Sequence, residues 1–176
     1  MRYPVKETAA KHERIVKEAS RLFRKRGFEN VTVGEVMKAA GLTHGAFYAH
    51  FGSKQELQKA AVAYGQGLSA TRALTYGGTK NGRRAYADRY LSPRHRDNPG
   101  DGCTMAALAQ EVARSTPELK AAFEQGFEEI LSAKGGNREE AIFQTAALVG
   151  AIALARAVND EQLSDEILES VRQKVG

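Results

Sequence analysis

A single cysteine stands in this chain of 176 residues, and that scarcity removes two classes at once. Cys103 has no partner for an intramolecular disulfide, and a cysteine-rich zinc site has no ligands. Long apolar runs are missing too: none approaches the roughly 20 residues that a membrane span needs. The N-terminus, MRYPVKETAAKHERIVKEA, lacks the apolar centre of a secretory signal. A soluble, cytoplasmic protein without membrane contact is therefore expected. Acidic residues are scarce only at one end. Residues 1–60 carry twelve Lys/Arg against six Asp/Glu, and residues 61–176 carry fourteen against fifteen. A surface for a polyanion is expected in the first third. The 42% hydrophobic content is too high for a disordered chain, and the length fits a medium domain or a small domain fused to a larger one.

Residues 2–12 read as a polar arm with Arg2, Lys6, Lys11 and His12. A helix follows, with Ile15, Ala19, Leu22 and Phe23 on one stripe and Gly27 as its C-cap. Thr32 and Glu35 make a capping box for a second helix with Val33, Val36 and Met37 inward. Gly41 turns the chain at positive φ. Thr43 caps a third helix of about two turns, His44–Phe51, in which Phe47 and Phe51 face the core while His44, Gly45, Tyr48 and, obliquely, His50 face out. Ser53 and Glu56 form another capping box for a long fourth helix. Cations flank the unit: Arg21, Arg24, Lys25 and Arg26 before it, Lys54 after it. A short helix between two cationic flanks can be laid in a major groove, its N-terminus offering N–H groups to phosphate. Thr32, Thr43, His44, Gly45, Tyr48, His50 and Lys54 are the candidate DNA contacts. Most would position the protein, and His44 is the candidate base reader.

From Leu22 to Leu57 the ordered set F-x-x-x-G-F, T-V-x-x-V, A-G-L, G-A-F-Y-x-H-F and S-K-x-x-L resembles the DNA-binding domain of TetR-family transcriptional regulators. That resemblance implies an all-α homodimer with about nine helices. A three-helix helix-turn-helix DNA-binding domain at residues 1–52 would precede a helical regulatory and dimerisation domain at 53–176. It further implies a palindromic double-stranded operator and a small-molecule effector, with no cofactor.

The later residues are less specific. YGGTKNGRR at 76–84 and SPRHRDNPGDG at 92–102 read as loops, and Thr116-Pro117 as a helix start. Tyr64, Tyr86, Tyr90, Met105, Phe123 and Phe127 could line a ligand cavity, or simply form a core. Cys103, expected at a helix start near Arg94 and Arg96, is a candidate redox or electrophile sensor, since a helix N-terminus favours a thiolate; a buried, inert thiol is the competing reading. His95, Asp97, Asp101 and Cys103 match no metal-ligand spacing, and no catalytic arrangement supports an enzyme. The segment Ala141–Val158 is apolar nearly all round, so a second copy is expected to cover it. Leu148, Ala151, Ile152, Ala155, Leu168 and Val171 are the candidate dimer contacts, from the last two helices of each chain.

Overall fold

The computed structural model describes residues 5–76 and 79–175, with only the backbone of Val5 and Lys6. Nine α-helices and two 3-10 turns make up these residues: α1 Val5–Arg26, α2 Val33–Ala39, a 3-10 turn His44–Ala49, α3 Lys54–Tyr76, α4 Lys80–Tyr90, α5 Pro93–Asp97, a 3-10 turn Pro99–Asp101, α6 Thr104–Ala113, α7 Pro117–Lys134, α8 Arg138–Ala157 and α9 Glu161–Val175. The chain is all-α, as expected.

The apolar side chains gather in two clusters. In the first, Ile15, Ala19 and Phe23 of α1 meet Val36 and Met37 of α2, Phe47 and Phe51 in and just after the His44–Ala49 turn, and Leu57, Ala61 and Val62 of α3. Leu108 and Val112 of α6 and Leu119 of α7 complete it, so this core draws on residues beyond position 52. In the second, Ala87, Tyr90 and Leu91 pack with Cys103, Met105, Ile130, Leu148, Ile152 and Leu168. Helix α3 leaves the first cluster and runs along α7, the most extensive helix pairing in the molecule.

Local chemistry explains most boundaries. The Thr32 hydroxyl accepts from the Glu35 amide at 3.2 Å while a Glu35 oxygen accepts from the Thr32 amide at 2.8 Å, which is the expected capping box. Gly41 takes φ +69, a left-handed conformation favouring glycine, and the Leu42 amide returns to Met37 O at 2.9 Å. At α3 the reciprocal bond is shifted by one residue. Ser53 Oγ accepts from the Glu56 amide at 3.1 Å, but the Glu56 carboxylate takes the Gly52 amide, at 2.7 Å.

Four expectations need correction. The polar arm is helical from Val5 on, while Arg2 lies outside the described residues. The first loop is shorter than 76–84, because the Thr79 hydroxyl accepts from the Gly82 amide at 3.0 Å and starts α4 at Lys80. The second loop contains α5, where Ser92 caps His95 N and Pro93 opens the helix. The third helix is a 3-10 turn of six residues, held by His50 N to Phe47 O at 2.8 Å and Ala46 N to Thr43 O at 3.1 Å. Gly45 is a poor α-former in so short a piece. Six residues at about 2 Å rise still span roughly 12 Å.

Helix α8 is long and apolar enough, by length and composition, to cross a membrane, and only 33% of its most apolar window is buried in the chain.

Candidate nucleic-acid interface and regulatory cavities

Phe47 and Phe51 anchor the His44–Ala49 turn, the candidate recognition element, their rings stacked at 5.7 Å. With these two inward, the opposite side is presented: Thr43, His44 and Gly45 are exposed, and Tyr48 is 71% exposed. Thr43 stands at the cap position but its hydroxyl makes no capping bond, contrary to expectation. Thr32 is exposed as well, yet its hydroxyl is committed to Glu35, donating to the carboxylate at 2.9 Å. Lys54 is half-buried at the start of α3. The sequence pattern left Gly34 out. A Cβ there would meet His44 Nδ1 at 3.4 Å, about van der Waals contact, so Gly34 lies directly behind the exposed His44 ring. A helix-disfavouring residue in the first turn of so short a helix was the available signal.

His50 is turned only partly outward. It is half-buried, 5.9 Å from the ring of His12, which itself stacks on Phe51 at 4.6 Å. Burial, then the proximity of His12 and Lys11, holds its pKa below the usual 6.5. At neutral pH it is an uncharged hydrogen-bonding group.

Three of the four flanking cations are already engaged within the chain. Arg21 pairs with Glu18 and Arg26 with Glu35. The backbone bond from Thr32, and then Arg26, pull the Glu35 carboxyl down to about 2. Arg24 is 8% exposed and points inward: it donates to the Gly100 carbonyl and to Ser20 Oγ. Lys25 alone of the four is exposed without an ion-pair partner among the described residues.

Behind this unit lie two cavities. One of about 590 Å³ is bounded by Ser69 and Arg72 of α3, Tyr86, Arg89 and Tyr90 of α4, and Ser92, Arg94, His95, Asn98, Asp101 and Cys103 of the corner that follows. The other, of about 470 Å³, lies between α4 and the α7–α8 turn, with Tyr76, Tyr86, Lys134, Glu140 and Gln144 among its walls. Lys134 Nζ sits 5.6 Å from the Tyr86 ring centre, and burial lowers its pKa to about 8.

Of the seven expected ligand residues, Tyr86, Tyr90 and Cys103 reach the larger cavity. Tyr64, Met105, Phe123 and Phe127 line neither. Tyr64 packs on the first core, Met105 and Phe127 belong to the second, and Phe123 sits between them. Helical spacing places such residues on an apolar stripe without saying whether that stripe meets protein or space.

His95 organises the corner. Its Nδ1 lies 2.6 Å from Tyr90 O and its Nε2 accepts the Cys103 amide at 2.9 Å, which fits a neutral ring with the proton on Nδ1. Burial, and then Arg156, Arg72 and Arg89, push its pKa down to about 4 against the opposing effect of the Tyr90 bond. Cys103 is 3% exposed.

The expected dimer contacts are corrected similarly. Leu148, Ala151, Ile152, Ala155 and Leu168 are buried in the chain's own second core, and Val171 packs against it. The uncovered stripe is the other side of α8: Ile142, Phe143 at 57%, Ala146, Ala153 and Leu154 at 59%, with Leu163 of α9 alongside.

Comparison with known proteins agrees with this geometry. Residues 15–61 match the family described as bacterial regulatory proteins, tetR family. The uncharacterized HTH-type transcriptional regulator YerO of Bacillus subtilis is 46% identical over 59 residues, 34% of this chain and 20% of YerO. The HTH-type transcriptional repressor NemR of Escherichia coli is 24% identical over 125 residues, 68% of this chain and 63% of NemR. The aligned region thus spans less than two thirds of either relative. The crystal structure of E. coli NemR in its reduced form superimposes with a TM-score of 0.78 at 21% identity, covering 94% of both chains. A TetR transcriptional regulator from Chloroflexus aurantiacus does so at 0.72, with 21% identity and 96% of both chains covered. Residues 15–61, which hold the His44–Ala49 turn and its supporting helices, thus match the tetR family, and the chain shares its fold with solved proteins of that family.

Proposed function

We propose that this chain is a dimeric, ligand-responsive repressor acting in the cytoplasm on a palindromic operator. The observation that carries the DNA-binding part is the division of the recognition turn: Phe47 is buried while His44, Gly45 and Tyr48 stand clear of the protein. Thr43, Tyr48 and Lys54 would hold phosphates and His44 would meet a base edge. Thr32 and His50 are weaker members of the set, one bonded to Glu35 and one shielded by His12.

Dimerisation is supported by the uncovered α8 stripe, which a second copy's α8 and α9 would bury in a four-helix interface. Two recognition turns then meet two half-sites together, so a small change in their separation weakens both contacts. The effector would act through α1, because two ties cross from the cavity side to the DNA-binding unit. Arg24 of α1 holds Gly100, and Glu111 of α6 accepts the Phe28 amide at 2.7 Å. A ligand that moves the corner around His95 and Cys103 shifts α1, and with it the recognition turn.

A second reading makes the Cys103 thiol the sensor. It is favoured by the position of Cys103 on the cavity that Arg72, Arg89 and Arg94 share, and opposed by the closing of the thiol to 3% exposure. Selection of bound duplexes from a random pool, followed by a release assay on the recovered DNA, tests the main reading. Recovery of no enriched palindrome overturns it. A Cys103→Ser variant that keeps its full response removes the second.

A further inference from the structure

We infer that the cavity framed by Arg72, Arg89 and Tyr90 takes an organic anion, a carboxylate on an aromatic or apolar body. The inference rests on the reading that this cavity is the effector site. Three helices each contribute one arginine to the lining: half-buried Arg72 from α3, and the exposed Arg89 of α4 and Arg94 of α5. Against them stands one carboxylate of the lining, Asp101.

These arginines differ from several others in the molecule in being left without an anion. Arg21, Arg26, Arg96, Arg138 and Arg172 each hold a carboxylate within 3 Å. Among the described residues, Arg72 and Arg94 have no hydrogen-bond or ion-pair partner for their guanidiniums, and Arg89 has only the Tyr76 hydroxyl at 3.4 Å. Planar N–H forks of this kind fit a carboxylate.

A second observation is independent of charge. Tyr90 is 8% exposed, and its hydroxyl has no hydrogen-bond partner; the polar group beside it is the weakly bonding thiol of Cys103. Buried hydroxyls are normally satisfied, and a thiol is a weak acceptor, so a carboxylate oxygen would be the stronger partner for this donor. Burial raises the pKa of both Tyr86 and Tyr90, so both remain protonated donors. His95 cannot supply the counter-charge or the missing bond, because both ring nitrogens are engaged. The body of the ligand follows from the walls: the rings of Tyr86 and Tyr90 lie 5.8 Å apart, in a cavity of about 590 Å³.

Calorimetric titration of the full chain with 2-naphthoate and with its neutral counterpart 2-naphthamide tests this directly, with benzoate and benzamide as a smaller pair. The carboxylates are expected to bind about tenfold more tightly than the amides, since a hydrogen bond to a charged group is worth roughly that factor. Arg72→Gln and, separately, Arg89→Gln should each reduce that preference, and Tyr90→Phe should weaken carboxylate binding about tenfold, with circular dichroism confirming that each variant is folded. Equal binding of carboxylate and amide overturns the inference, as does the absence of binding by both carboxylates. A release assay on selected DNA separates the two readings. Carboxylate binding without any change in DNA affinity keeps the anion site and removes the effector reading, whereas release by the amide alone does the reverse.

Discussion

Arg24 on α1 donates from Nε at 3.0 Å and from Nη2 at 2.7 Å to one carbonyl oxygen, that of Gly100, seventy-six residues further on. The same guanidinium reaches Ser20, whose hydroxyl donates to Ala61 O at 2.7 Å. A buried charge is tolerated only when its donors are used, and here they tie the helix that carries the DNA-binding unit to the corner of the larger cavity. Gly65 makes the tie possible. A Cβ at that position would run into Thr104 Oγ1, Ser20 Oγ and the Arg24 guanidinium.

Replacing Arg24 by Met keeps much of its volume but leaves the Gly100 carbonyl and the Ser20 hydroxyl short of partners. A loss of about 1–3 kcal/mol is expected for groups stranded in this way. Urea unfolding measures it. Beyond stability, Arg24→Met should separate effector binding from DNA release, so that ligand still binds but moves DNA affinity less. Unchanged stability together with unchanged release would mean that the tie does neither.

Gly65→Ala is the complementary change. The added methyl has backbone on one side and three polar side chains on the other, so the neighbours must shift. Overpacking of this kind costs about 1–3 kcal/mol. The midpoint of thermal unfolding should fall, and if it rises instead, α3 and α6 have more freedom than their packing indicates.

The proposed DNA contacts make different predictions by type. Tyr48→Ala and Lys54→Ala should weaken binding across all sequences, and loss of the Lys54 charge should lower the salt slope by about one. His44→Ala should change the order of preference among operator variants instead. Fluorescence anisotropy at several salt concentrations distinguishes the two patterns. Parent-like binding by all three variants would mean that another surface meets the DNA.

These residues also mark what was legible beforehand. Thr32 with Glu35, Gly41, and the Phe47–Phe51 pair are local devices whose partners lie within a few residues, so spacing alone specified them. Arg24 reads in the sequence as one more cation flanking the unit, because its partner is seventy-six residues away and nothing nearby in the chain points to it. The same reason explains the dimer residues. The apolar pattern of α8 is nearly continuous, so the sequence showed that two faces need cover without showing which one the chain's own core takes. Ile152 goes inside and Leu154 stays out, a distinction made by α9 and α6 rather than by α8. The cavities were hidden for a similar reason: Tyr86 and Tyr90 reach one, whereas Phe127 packs into core.

His95 gives a pH dependence with a definite sign. Its pKa is about 4 in the folded chain and about 6.5 unfolded, so between these values the unfolded state binds more protons. Stability therefore rises with pH through that window and is lost on acidification from about 6.5 towards 4. Burial is the main cause, with Arg156 of α8, Arg72 of α3 and Arg89 of α4 adding repulsion. Protonation would also turn Nε2 from an acceptor into a donor facing the Cys103 amide. His95→Gln should flatten the pH dependence between 6.5 and 4 while lowering stability at neutral pH through lost bonds. Equal slopes for parent and variant would place the acid-sensitive group elsewhere.

The uncovered stripe of α8 gives the last prediction. Phe143 and Leu154 are more than half exposed, and eleven residues separate them, about three turns, so they share one face. Apolar groups of this size left in water carry about 1.5–3 kcal/mol each of unrealised burial, and a twofold interface would bury both sets together. Phe143→Asp or Leu154→Asp should then convert a dimer into a monomer at micromolar concentration, as read by sedimentation equilibrium. Ile152→Val, inside the chain's own core, should leave assembly intact and cost only about 0.5–1.5 kcal/mol of stability. A parent chain that sediments as a monomer would remove the interface, and with it the paired half-site mechanism. A dimer unaffected by either aspartate would place the twofold contact on some other surface of the chain.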